Sequence, residues 1–181
     1  MADDSNGSAN KNASDAIPAG AQQIPVDPNA PRMNVVAQYV KDLSFENPEA
    51  PAALTAPRSQ PPRITIGINV TANRLSSNDV EVALKIEANA KDDERSLFAA
   101  ELVYAGLFRM SNVPENQMTA LSMVECPRLL FPFARQVLAE ATRNGGFPPL
   151  MIDPVDFLAL FRERQRREQG MPATPPPANL S

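Results

Sequence analysis

Apolar and polar residues alternate with a period of two along much of the first half of the chain. In residues 35–46 the apolar side chains fall on odd positions, namely Val35, Ala37, Tyr39, Leu43 and Phe45. The alternation returns in residues 64–73 and 80–88, which a Ser-Ser-Asn-Asp turn separates. A period of two is typical of strands buried on one face, so we predict a first strand and then an antiparallel hairpin. The proline-rich residues 47–62 predict a long irregular connection.

Residues 97–108 predict a fourth strand that is apolar on both faces. Its second face consists of Leu97, Ala99, Val103, Ala105 and Leu107, and only Glu101 interrupts it. A sheet covered by helices on one side has a polar outer face, so a second apolar face needs another cover. Two explanations stay open: a subunit interface, or a surface that receives an external apolar partner.

The second half of the chain predicts two helices. Residues 118–140 are apolar at helical spacing, and Pro127 and Pro132 should kink or break this helix before a Gly-Gly pair ends it. A shorter helix should open at Asp153 and Pro154, with Asp156 near its positive end, and lead into an Arg-rich end. Four strands followed by two helices predict an α+β fold with a four-stranded antiparallel sheet.

The predicted domain spans residues 33–168 and is flanked by polar, proline-containing segments. Residues 1–32 and 169–181 contain few apolar side chains, so we predict disordered tails there. The first 32 residues lack the apolar run of a signal peptide, and no stretch has the roughly 20 apolar residues of a membrane span. We therefore expect a cytoplasmic protein without direct membrane insertion.

Composition excludes several kinds of chemistry. The 181 residues include no His and one Cys, so ordinary zinc sites and His-dependent catalytic triads are excluded. The few glycines do not form a phosphate-binding loop, and the net charge of -4 argues against nucleic acid as a partner. We predict no metal, no cofactor and no enzymatic activity. Cys126, which has no neighbouring base, is predicted to be a small buried residue.

Acidic residues are the remaining candidates for a functional surface. Asp42 and Glu46 share one face of the first predicted strand, four residues apart. This spacing separates them by roughly 13 Å along an extended chain, too far for a catalytic pair. They form either a solvated edge that opposes aggregation or an electrostatic docking stripe for a basic partner. Glu101 is a further candidate for the same stripe.

Three motifs, taken in order, resemble the SecB family of bacterial protein-export chaperones. They are YVKDLSFENPEAP at residues 39–51, CPRLLFPFAR at 126–135, and GFPPL at 146–150 followed by PVDFLALF at 154–161. The resemblance covers about residues 33–164. It implies a cytoplasmic homotetramer, a dimer of dimers, in which helices pack between four-stranded sheets.

The resemblance also implies a function and its sites. An ATP-independent holdase would keep precursors of exported proteins unfolded and deliver them to the SecA motor, which would bind Asp42, Glu46 and Glu101. We expect clients to bind grooves along the long connection, the fourth strand and the last helix. The expected client-binding residues are Leu43, Phe45, Phe98, Leu102, Tyr104, Phe157, Leu160 and Phe161. The alternative is a SecB-like chaperone dedicated to a single client such as an antitoxin; a catalytic or small-ligand-binding α+β oligomer is the alternative from another class.

Overall fold

Four long strands form one antiparallel sheet in a computed structural model of the chain. The structure describes residues 27, 29–55, 60–92 and 95–170, and most of the two predicted tails lies outside these residues. The strands are β1 (Arg32–Glu46), β2 (Arg63–Arg74), β3 (Asp79–Asp92) and β4 (Arg95–Ser111). Their order in the sheet is β1-β4-β3-β2, so β1 and β2 are the two edges. The predicted hairpin is β2 with β3, and the predicted α+β fold is confirmed.

Most of the helical segments follow the sheet, and the longest of them packs on one of its faces. The connection after β1, predicted to be irregular, contains a short helix in its described residues. The helices are α1 (Ala52–Thr55), α2 (Glu115–Ala120), α3 (Cys126–Asn144) and α4 (Phe157–Glu168), with a π-helical turn (Leu121–Glu125) between α2 and α3. We call the side of the sheet that packs against α3 and the π-helical turn the helix face, and the opposite side the outer face.

The two predicted proline effects have different outcomes. The π-helical turn comes directly before Pro127, where its wider spacing accommodates a proline ring that would collide with the carbonyl one turn back. The helix does not break at Pro132, because α3 continues through it, and a kink there stays a prediction. The residue one turn earlier, Arg128, is exposed, so the carbonyl that loses its helical partner can bond to water.

The last helix begins later than predicted. Asp153 was the expected cap, but α4 starts at Phe157 and its cap is Asp156, whose side chain accepts a hydrogen bond of 2.9 Å from the Ala159 amide. Asp156 has a non-helical backbone and lies three residues before the amide that it caps, which is the usual geometry of an aspartate cap.

The hydrophobic core lies between the helix face and α3. Alternate residues of β3 and β4 are fully buried there, among them Leu84, Ile86 and Leu102. Leu130 and Leu138 of α3 close the core from the other side. Strand alternation and helical spacing thus meet in a single apolar layer.

One residue of the apolar second face of β4 lies in the core instead. The pairing of β3 with β4 shifts between Ala90 and Lys91, which leaves Leu97 as an extra residue on β4. A bulge of this kind interrupts the alternation of side chains, and Leu97 is buried in the hydrophobic core. The assignment of Leu97 to the outer face is therefore wrong.

Candidate functional site

The three predicted acidic residues lie together on the outer face. Glu101 of β4 pairs directly with Ser44 of β1, and Asp42 and Glu46 are two residues to either side of Ser44. Residues two apart on one strand share a face, so both carboxylates are diagonal neighbours of Glu101. A shallow depression of about 170 Å³ lies beside them and is lined in part by Ser44, Glu46 and Glu101.

Two charged residues of β3 complete this surface, and sequence reasoning missed them. Glu87 pairs with Glu101 in the sheet. The Lys85 ammonium lies 2.8 Å from the Glu87 carboxylate and 2.9 Å from that of Glu101. Hydrogen bonds to Glu87 and then Glu101 raise the pKa of Lys85 to about 12. The alternation of polar with apolar residues along β3 could have indicated that Lys85 and Glu87 share its solvent-exposed face.

We call Asp42, Glu46, Glu87 and Glu101 the acidic patch. Lys85 contacts two of its carboxylates, so the patch keeps a net negative charge. Its carboxylates are partly or largely open to solvent. Such a surface attracts a basic partner mainly by raising its encounter rate and by excluding acidic competitors.

A second polar cluster on the outer face joins three strands. The Tyr39 hydroxyl of β1 donates a hydrogen bond to the Glu81 carboxylate of β3, although β4 lies between the two strands. Lys41 donates to both oxygens of the same carboxylate, at 2.9 Å each. The bond from Tyr39, and then that from Lys41, lowers the pKa of Glu81. The Tyr39 ring must therefore cross β4, where its partner in the sheet, Ala105, is fully buried.

The expected client-binding residues fall into three groups. Phe98, Leu102 and Phe157 are buried in the core, so their side chains offer no surface to a client in this structure. Phe45 is half-buried, and its ring stacks on Phe98 with centroids 5.6 Å apart. Apolar character alone does not distinguish a core position from a groove, and client binding by these four residues stays a prediction.

The second group lines a cavity between β1, β4 and α3. Leu43 and Tyr104 lie beside Phe133 and Val137 of α3, around a volume of about 430 Å³. Leu43 is largely exposed, whereas Tyr104 is mostly buried. Sequence reasoning did not single out the two α3 residues.

The third group lines a cavity between β2 and α4. Leu160 and Phe161 of α4 face Ile68 and Val70 of β2 across a volume of about 360 Å³. Met123 of the π-helical turn also lines it. Glu163, Arg164 and Arg167 also line this cavity, which opens beside the unpaired edge of the sheet because β2 is an edge strand.

The single cysteine is buried, as predicted. Cys126 is fully inaccessible, and its sulfur lies 3.3 Å from that of Met33. Burial raises the pKa of its thiol to about 12, which leaves the thiolate scarce at neutral pH.

Cavities lined in part by apolar side chains beside edge strands, together with a charged patch on the opposite face, are typical of a protein that binds other proteins. No helix within the described ranges is both long and apolar enough to cross a membrane. The architecture matches a solved structure, that of a SecB-like chaperone from Mycobacterium tuberculosis in complex with an antitoxin peptide. The match has a TM-score of 0.52 and 15% sequence identity, and covers 68% of this chain and 91% of that one. At this identity the likeness concerns the fold.

Sequence comparisons identify the family. A family model described as preprotein translocase subunit SecB matches residues 27–168. The protein-export protein SecB of Xanthobacter autotrophicus is 57% identical over 144 residues, which cover 80% of this chain and 92% of the relative. That of Rhodopseudomonas palustris strain BisB18 is 53% identical over 163 residues, or 90% of this chain and 94% of the relative. The chain belongs to the SecB family and is a chaperone of protein export, which confirms the resemblance seen in its motifs.

Proposed function

We propose that the protein holds precursors of exported proteins in an unfolded state in the cytoplasm, without ATP, and hands them to the SecA motor. Membership of the SecB family is the observation that carries this proposal. The close relatives bear the name of the export protein, so the alternative of a chaperone dedicated to one client is not favoured.

Clients should bind the cavity between β2 and α4. Its lining combines apolar side chains such as Ile68 and Phe161 with the edge of a strand. Apolar surface binds any client that exposes hydrophobic residues, and the strand backbone can form hydrogen bonds with any extended chain. A site of this kind selects unfolded proteins because folded ones offer neither feature.

A titration of one precursor, unfolded and then folded, tests the holdase activity. Calorimetry should detect binding of the unfolded form, with a negative heat-capacity change from apolar burial, and no binding of the folded form. Equal affinity for both forms would contradict the proposal and indicate recognition of a native surface. Purification of the protein from cells with blocked export should recover many precursors, whereas one dominant protein would favour a dedicated chaperone.

SecA should dock on the acidic patch. The register of β1 and β4 supports this role because it gathers Asp42, Glu46 and Glu101 on one exposed face. Replacing Asp42 with Asn and Glu46 with Gln should weaken binding to SecA at low salt, and the difference should shrink as salt screens the charges. Glu125→Gln and Glu140→Gln together form the control, because these residues lie outside the patch. Unchanged SecA affinity in the patch variant at low salt would contradict docking at the patch and favour a role in opposing aggregation.

The protein should assemble as a homotetramer. The edge strand β1 exposes Val36 and Val40, and α3 exposes Leu129 and Phe133, the last at 49%. Large apolar side chains at this exposure on neighbouring elements are typical of a subunit interface. Light scattering at micromolar concentration should give four times the chain mass of 19.6 kDa. A stable monomer would contradict this assembly.

A further inference from the structure

One hydrogen bond ties α4 to the edge of the sheet. Arg164 donates from Nη1 to the backbone carbonyl of Val70 on β2, at 2.9 Å. Successive residues of an edge strand turn their backbone groups alternately toward the neighbouring strand and away from it. The carbonyl of Val70 therefore points away from β3, and Ile68 and Ala72 share this orientation. No strand pairs with this side of β2 in the described ranges.

The same side chain lines two cavities along β2. The first, of about 360 Å³, is the cavity of Ile68, Leu160 and Phe161. The second, of about 440 Å³, lies beyond it next to Thr71 and Ala72. Arg164 and Met123 line both cavities. Arg164 and Met123 thus lie at the boundary between two cavities that follow one another along the strand.

We propose that Arg164 is a gate residue that competes with the client for the edge of β2. This inference rests on the proposed function. The Arg164 guanidinium bonds to the acceptor that the backbone N–H of an added strand would use. An extended client segment of about six or seven residues would run along both cavities, roughly 20 Å at the rise of a strand, only after Arg164 leaves.

The contacts of Arg164 would allow a client to displace its guanidinium from Val70. Its Nε lies 3.0 Å from the carboxylate of Glu168, one turn further along α4, and its side chain is half exposed. A half-exposed ion pair contributes little to stability, so the guanidinium can leave Val70 and stay paired with Glu168 or water. The groove then has a closed state without client and an open state with it.

Arg167 provides a matched control on the same helix. It lines only the first of the two cavities and pairs with Glu163. Replacement of either arginine by Met removes one cation and keeps an aliphatic stem, but only Arg164→Met also frees the Val70 carbonyl.

The test measures affinity for a defined probe by fluorescence anisotropy on the assembled full-length chain. The probe is a labelled peptide of about 12 residues in which Leu alternates with Thr, long enough to follow the groove. A second probe replaces its central amides with esters, which removes N–H donors and keeps the side chains. Arg164→Met should bind the amide probe about three- to tenfold more tightly than the unmodified chain, the value of one net hydrogen bond.

The two probes separate the gate from a simple gain of apolar surface. The ester probe should gain less than about twofold from Arg164→Met, because it has no donor for the freed carbonyl. Arg167→Met, which also replaces a cation beside the first cavity with an apolar side chain, should change the affinities for the two probes by the same factor. No gain for the amide probe, or an equal gain for both probes, would overturn the gate. If the unmodified chain bound neither the amide probe nor an unfolded precursor, the proposed function would fail as well. Arg164→Gln, which is too short to reach Val70, gives the same comparison should Arg164→Met fail to assemble.

Discussion

Leu102 and Leu160 were both expected to bind clients. Replacing Leu102 with Ala should lower stability and leave client affinity unchanged, whereas replacing Leu160 with Ala should lower client affinity and change stability little. Leu102 is completely buried, whereas Leu160 is 36% exposed at the cavity between β2 and α4. Leu102→Ala removes about three carbon groups from the core, at about 0.8 kcal/mol each in transfer free energy. The cavity left behind raises the loss of unfolding free energy to about 3 kcal/mol, within the range of roughly 2–5 kcal/mol for buried leucines.

The cost for Leu160→Ala is much smaller because its side chain is already partly in water. We expect it to lower the unfolding free energy by less than about 1 kcal/mol and to weaken binding of an unfolded precursor. Leu102→Ala should leave that affinity unchanged wherever the protein stays folded. Urea unfolding at one fixed protein concentration measures stability, because assembly makes stability depend on concentration. Calorimetric titration of one unfolded precursor measures affinity.

One result would refute this reasoning. If Leu102→Ala kept its stability within about 1 kcal/mol and lost client affinity, Leu102 would be reachable by clients and the core would open during binding. The same loss of affinity in a destabilised but folded Leu102→Ala variant would point the same way. If Leu160→Ala kept full affinity for the unfolded precursor, clients would not bind in the cavity between β2 and α4.

Two further predictions follow from single side chains. Asp156→Ala should lower the unfolding free energy by about 1 kcal/mol through loss of the α4 cap, whereas Asp153→Ala should change it little. Urea unfolding measures both variants, and a larger loss of stability in Asp153→Ala would contradict the observed cap. Cys126 should resist alkylation at pH 8 in the native protein and react quickly once unfolded, and fast native labelling would contradict its burial. Since burial raises the folded pKa of Cys126 to about 12, its contribution to stability is complete below the unfolded pKa of roughly 8.5 and is lost as pH rises toward 12. Urea unfolding at pH 8 and pH 10 should therefore differ less in Cys126→Ala than in the unmodified chain.

The strands themselves were predictable because alternation is a local property, but the single apolar face predicted for β1 is wrong. Two register shifts place Ala37 and Tyr39 on the outer face, and Val35, Leu43 and Phe45 on the helix face. Asp42 and Glu46 were placed on one face by the period of two alone, and the structure agrees. That Glu101 lies between them depends on the register of β1 against β4, which involves residues far apart in sequence. Pairing register comes from turns and packing, so a single strand's pattern cannot predict it.

Other features were out of reach for similar physical reasons. The bulge at Leu97 could not be predicted because both faces of β4 are apolar, so that an extra residue leaves the pattern of apolar and polar positions unchanged. Leu102 and Leu160 are the same residue type, and only packing makes one a core residue and the other a groove residue. The bond from Arg164 to Val70 joins residues 94 positions apart, so the Arg-rich end of α4 had no local signal of its role.

The Tyr39 cluster has a consequence for how the sheet opens. Edge strands have a single neighbour and usually fray first in local unfolding. The centre of β1, however, is tied to Glu81 on β3 by Tyr39 and Lys41 as well as to β4 by its ladder. Opening there would break bonds to two strands at once, so the middle of β1 should exchange its amide hydrogens together with β3 and β4 as one cooperative unit. Fraying is then confined to the ends of β1, near Arg32 and Glu46.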